Sequence, residues 1–170
     1  MEYIIDSDIL INMYRKYPRD KNNYDRIWIH LESLIESGEV LICKEVYLEI
    51  QRGGDDLYRW LNNFSDKIID SDRDIQTELG RIMNTYAFVF TEQPSKHGAD
   101  PWVIALAIVR EGIVVTNEGG GALNRHILGN LERMKEQPTA TKMIDICHNE
   151  GVEWRDLVGF LIETGTFRTR

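Results

Sequence analysis

Three short, β-branched apolar runs, set among helix-periodic segments, constrain this chain more than any other feature. Tyr3-Ile4-Ile5, Val40-Leu41-Ile42-Cys43 and Ile113-Val114-Val115-Thr116 are apolar without alternation, as strands buried on both faces are. After the first run, Ile9, Leu10, Met13, Tyr14 and Tyr17 recur at helical spacing until Pro18 stops them. Trp28, Leu31, Leu34 and Ile35 repeat the pattern over residues 25–37, and Gly38 ends it. Further helices are predicted at residues 44–51, 55–63, 72–86, 100–109, 141–149 and 156–163, with a last short strand at 152–154. Asp100 is the expected N-cap of its helix, with Pro101 in the first helical position. Residues 117–137 are expected to be irregular. Strands alternating with helices predict parallel βαβ units, hence an α/β sheet in three layers.

The length of 170 residues predicts one domain, residues 1–170, able to bury a core without staples. Cys43 and Cys147 have no metal or disulfide spacing and read as small buried hydrophobes, with a cytoplasmic setting as the default. The opening residues read as a strand and not as a secretion signal, and no apolar run is long enough to span a membrane.

In parallel sheets, ligands gather outside the carboxyl ends of the strands. Acidic residues fall there in this chain. Asp6 follows the first strand, with Asp8 two positions on. Asn117 and Glu118 follow the third strand directly after Thr116. Glu45 and Glu49 share one face of the helix after the second strand, and Asp100 opens the helix leading into the third. Carboxylates packed together repel unless a cation sits among them, and oxygen donors of this kind suit Mg²⁺ or Mn²⁺. The chemistry that uses such a set is metal-assisted phosphodiester hydrolysis.

The formal net charge of −8 points the other way, because phosphate contacts come mainly from Lys and Arg. The best candidates for such contacts are Arg125 and Lys142, in a rim that also carries His126, Arg133 and Lys135. His30, His97, His126 and His148 have no metal-ligand spacing. Trp28, Trp60 and Tyr58 read as core or partner surface and not as base-stacking platforms. There is no P-loop, no GxGxxG and no nucleophile elbow.

Four segments carry a resemblance to the PIN superfamily: Ile4-Ile5-Asp6-Ser7-Asp8, Lys44-Glu45-Val46-Tyr47-Leu48-Glu49-Ile50, Ala99-Asp100-Pro101-Trp102-Val103-Ile104-Ala105-Leu106-Ala107, and Val114-Val115-Thr116-Asn117-Glu118. Within it the chain is similar to a prokaryotic group of unknown function. Its lysine-led helix and short final helix match residues 141–147 and 156–167. The resemblance covers nearly the whole chain and implies a three-layer α/β/α sandwich with a central parallel sheet of four to five short strands. Carried over by position, it makes Asp6, Glu49, Asp100 and Glu118 the catalytic metal ligands, with Asp8, Glu45, Thr116 and Asn117 in support. Glu118 departs from the commoner Asp and extends that ligand by one methylene; the Gly119-Gly120-Gly121 run beside it leaves the backbone free to adapt.

What the resemblance implies for function is a Mg²⁺- or Mn²⁺-dependent nuclease, acting on RNA ahead of DNA, as in VapC-like toxins paired with an antitoxin protein. It also implies a tendency to form a homodimer; the lack of a membrane-length apolar run adds the expectation of no membrane partner. Two other readings stand beside it. One is a non-catalytic or weakly active binding module on the same fold. The other is a phosphohydrolase of the haloacid dehalogenase type, suggested by Asp6-Ser7-Asp8 but lacking that family's later motifs.

Overall fold

The structure is a computed structural model that describes residues 1–19, 24–91, 98–118 and 127–166. Strand β1 (Tyr3–Ile5) leads into α1 (Ser7–Lys16), and α2 (Asp25–Ser37) follows it. Trp28, Leu31, Leu34 and Ile35 of α2 are all buried, as their spacing predicts, and Gly38 ends the helix in the left-handed conformation. Then come β2 (Val40–Leu41), α3 (Lys44–Gly53) and α4 (Asp56–Asn62). α5 (Arg73–Thr85) and the short α6 (Ala87–Phe90) precede α7 (Asp100–Arg110), which leads to β3 (Ile113–Val115). The chain continues through α8 (Leu131–Glu136), α9 (Met143–Glu150), β4 (Trp154–Arg155) and α10 (Leu157–Glu163).

The four strands form one parallel sheet in the order β2-β1-β3-β4. Ile4 pairs with Leu41 on one side and Val114 on the other, and Val115 pairs with Arg155. Helices cover both faces of the sheet, as the alternation of elements predicts. α7 packs on β1 and β3 and is itself covered by α5 and α9. That position explains its composition: Val103, Ile104, Ala105, Leu106 and Ala107 are all buried, which only a helix enclosed on most sides requires. No helix among the described residues is long and apolar enough to cross a membrane.

Three local expectations need correction. Residues 117–137 are not wholly irregular, since Asn130 caps α8 by accepting the Arg133 N–H at 3.0 Å. A helix of this length with one buried residue, Met134, leaves no periodic trace in the sequence. Asp100 does not cap α7: the N-cap position belongs to Ala99, and no side-chain capping bond forms. The last strand sits at Trp154–Arg155, shifted towards the C-terminus from 152–154, and β2 is two residues long.

The order of strands decides where chemistry can be built. From β1 the chain crosses to β2 on one side, then returns past β1 to β3 on the other. The carboxyl ends of β1 and β3 therefore flank a topological switch point, where adjacent connections diverge and leave a crevice.

Candidate active site

Asp6 is the first residue beyond β1. Its N–H donates to the Val115 carbonyl at 3.0 Å, extending the ladder by one bond and fixing the aspartate at the crevice. Its carboxylate caps α1, accepting the Ser7 N–H at 2.7 Å, and also accepts the Thr116 hydroxyl at 3.1 Å. The side chain is only 4% exposed. Burial pushes its pKa well above the usual carboxylate range, and the charges of Asp8 and Asp100 push it further.

Asp8 lies in the first turn of α1, where its carboxylate accepts the Asn117 N–H at 3.0 Å. Burial is the main cause that pushes its pKa up to about 6, with Glu118 and Asp100 adding repulsion. Hydrogen bonds from Asp6 and Asn117 act in the opposite sense. Asp100 is 7% exposed in the first turn of α7, and its charge is felt by both Asp6 and Asp8.

Thr116 is fully buried and links the two halves of the crevice. Its Oγ1 donates to Asp6 and accepts the Glu118 N–H at 3.2 Å. The Glu118 carboxylate is held by the N-terminal end of α9, where its Oε2 accepts the Met143 N–H at 2.8 Å. Asn117 uses its N–H for Asp8 and its Oδ1 for the Leu157 N–H at 3.3 Å, tying the site to α10. Glu49 is half-buried on α3 against Gly98, two residues before Asp100. A Cβ built on Gly98 would lie 2.0 Å from Glu49 Oε1.

Asp6, Asp8, Asp100 and Glu118 thus act on one another, with Thr116 and Asn117 bonded among them, and Glu49 stands at the approach to α7. Glu45 is not among the charges that act on Asp6 or Asp8. Burial raises its pKa, the neighbouring charges are Asp70 and Lys44, and its Oε2 is buried without a hydrogen-bond partner among the described residues. Lys142 is at the N-cap of α9, next to the N–H that holds Glu118. Arg125, His97, His126 and the Gly119-Gly120-Gly121 run lie outside the described residues.

One positioning residue was not singled out from the sequence. Asp145 is fully buried and accepts the Leu128 and Lys142 N–H groups, each at 2.7 Å. It fixes the first turn of α9, and through it the Met143 N–H on Glu118. Its signal was the acidic residue three positions after the cap, as in a capping box.

The donor set suits a hard divalent cation. Every member is a carboxylate oxygen, and the causes that raise Asp6 and Asp8 are burial and other carboxylates. Among the described residues, no three His, Cys, Asp or Glu side chains converge as a ready metal cage. Mg²⁺ does not need one: it commonly takes one or two carboxylates and keeps several waters.

Residues 3–167 match the family described as a domain of unknown function, DUF4411. The chain belongs to that family. Solved structures show which fold this DUF4411 chain adopts. It is similar to VapBC2 from Rickettsia felis, bound to a DNA fragment from their promoter: 17% identity, 92% of this chain and 98% of that chain, TM-score 0.51. VapBC-1 from nontypeable Haemophilus influenzae matches at 16% identity over 92% and 98% of the two chains, with a TM-score of 0.49. No curated protein matches the DUF4411 chain. Its fold is PIN-like, as the sequence motifs imply.

Proposed function

We propose that this protein is a divalent-metal-dependent endonuclease that hydrolyses phosphodiester bonds in RNA. The observation that carries the reading is the group Asp6, Asp8 and Asp100 at the β1–β3 switch point, buried or half-buried carboxylates in which burial and the charge of Asp100 raise the pKa of both Asp6 and Asp8. A fold does not maintain that repulsion for stability, and a bound cation removes it. Asp6 and Asp100 would hold the ion, with Glu49 and Glu118 completing the acidic surround. When bound, Mg²⁺ or Mn²⁺ supplies a water of lowered pKa and stabilises charge on the phosphoryl and leaving oxygens.

The chain's own residues prepare the site. Thr116 orients Asp6 and the Glu118 backbone together. The α9 N-terminus holds the Glu118 carboxylate in place, and the Asn117 N–H anchors the Asp8 carboxylate. Burial of Asp6 and Asp100 keeps bulk water from competing with substrate oxygens. RNA as substrate, and a protein partner of the antitoxin kind, rest on the resemblance to VapC-like proteins and on the fold shared with VapBC2.

The test is incubation of purified protein with single-stranded RNA and DNA in Mg²⁺, Mn²⁺ or EDTA, beside Asp100→Asn. RNA cleavage that needs the metal and disappears in the variant is expected. Cleavage that survives EDTA, or an Asp100→Asn protein as active as the wild type, would refute the reading.

A further inference from the structure

A groove of about 340 Å³ opens from the acidic site between α1 and α10. Asp8, Asn12, Lys16 and Tyr17 line one wall, Val158 lines the other, and Asn117 sits where it meets the carboxylates. Asp8, Asn12 and Lys16 are spaced four residues apart, so they form one stripe on α1 that runs away from the acidic site. Lys16 ends α1 about 12 Å from Asp8 along the axis, at 1.5 Å per residue. It is exposed and makes no ion pair among the described residues, and it is the only cation among the described lining residues. Arg15 adds a second positive charge in the same last turn.

The neutral lining also has bonding capacity to spare. Asn12 donates its amide to the Asp8 carbonyl at 2.8 Å, which leaves its Oδ1 as an acceptor. Asn117 accepts from Leu157 through Oδ1, leaving its NH₂ group as a donor. At the far end the Tyr17 ring is braced edge-to-face against Tyr24 at 5.3 Å. Val158, 56% exposed, gives α10 an apolar surface facing this polar stripe. A carboxylate site at one end, a free lysine further on, and amide and apolar walls between them match a chain of alternating phosphates, sugars and bases.

We propose that this groove holds the single strand flanking the scissile phosphate, with Lys16 contacting a phosphate further along that strand. The assignment rests on the nuclease reading above and adds a substrate-binding site to it. It also answers the net charge of −8: a cation placed along the strand's path, without an ion-pair partner among the described residues, does locally what overall charge does not.

Steady-state cleavage of RNA and DNA oligonucleotides by full-length protein tests this, using Lys16→Ala, Lys16→Arg and Arg110→Ala. Arg110 ends α7 at the opposite end from Asp100, so its variant loses the same charge away from the groove. Lys16→Ala is expected to raise KM about fivefold, leave kcat unchanged, and flatten the slope of log(kcat/KM) against log salt by about 0.7. Lys16→Arg should restore KM, and Arg110→Ala should match the wild type. If both substrates respond alike, the groove reads the phosphate backbone; a response with RNA alone places the contact on an RNA strand. A Lys16→Ala protein indistinguishable from Arg110→Ala, or one altered only in kcat, overturns the groove assignment while leaving the nuclease intact. Failure of the wild type to cleave either substrate with any metal overturns both.

Discussion

Replacing Asp8 by Asn should make the metal-free protein more stable at neutral pH. Asp8 carries its pKa at about 6 in the folded chain against an ordinary value of 3.8. The folded state therefore binds this proton more tightly than the unfolded state does. The resulting stability is complete below pH 3.8, declines as pH rises, and is lost above about 6. At about 1.36 kcal/mol per pH unit, the ionised carboxylate costs the folded protein about 3 kcal/mol at pH 7.5. Asparagine removes that charge and keeps an oxygen to accept the Asn117 N–H, although it gives up a favourable acid in the first turn of α1, worth about 0.5 kcal/mol. A weaker bond to Asn117 takes back a similar amount, leaving a net gain of about 2 kcal/mol. For a chain of this size that raises Tm by about 4–8 °C.

The assay is thermal melting of wild type and Asp8→Asn in EDTA from pH 4 to pH 8. The two curves should coincide near pH 4 and separate through pH 6, with the wild type falling below the variant. Saturating Mn²⁺ should narrow the gap at pH 7.5, because an ion binding the folded state with 100-fold excess over Kd adds about 2.7 kcal/mol. If Asp8→Asn melts at or below the wild-type temperature at pH 7.5 in EDTA, with an unchanged pH slope, then Asp8 is not repelled in this cluster and the electrostatic argument for a cation fails.

Two further substitutions probe the supports of the site. Thr116→Val keeps the shape of a fully buried side chain but strands the Glu118 N–H and removes a donor from Asp6; a loss of about 1–3 kcal/mol in urea denaturation is expected, together with weaker metal-dependent cleavage. Gly98→Ala places a methyl group against the Glu49 carboxylate, whose flexible end turns aside at little cost to the fold; cleavage should drop towards that of Glu49→Ala while Tm changes by less than about 2 °C, and full activity would show that Glu49 has no role at this position.

The fold was legible where burial is nearly complete. The central strands and α7 are apolar on every side, so composition alone locates them. It was less legible where one side chain decides the local structure. α8 depends on the Asn130 cap and on Met134, and neither stands out among the polar residues of that stretch. In the site, the strand-end rule found Asp6 and Glu118 because each lies directly beyond a sheet strand, or within three residues of one. The same rule is silent on direction along a helix. Glu45 and Glu49 share a face by spacing, yet the charges that act on Glu45 are Asp70 and Lys44, while Glu49 meets Gly98. From its position Asp100 reads equally as a helix cap and as a ligand. The coordinates remove the first, since Ala99 holds the cap position and Asp100 is buried one residue further in.

That removal changes what the acidic cluster means. An aspartate capping a helix needs no other reason for being there, and Asp6 and Asp8 each have one: Asp6 caps α1, and Asp8 holds the Asn117 N–H. Asp100 lies one residue inside the cap, is buried, and its charge raises the pKa of both of the others. Replacing a buried charge of this kind with an apolar residue is commonly neutral or stabilising, so stability alone gives the fold no reason to hold three together. In the proposed reading, a divalent ion between Asp6 and Asp100 would reverse the sign of each of these interactions, turning a set of repulsions into the binding energy of a cation. The same inversion would supply the positive potential that a chain of net charge −8 otherwise lacks where the proposed phosphate would sit.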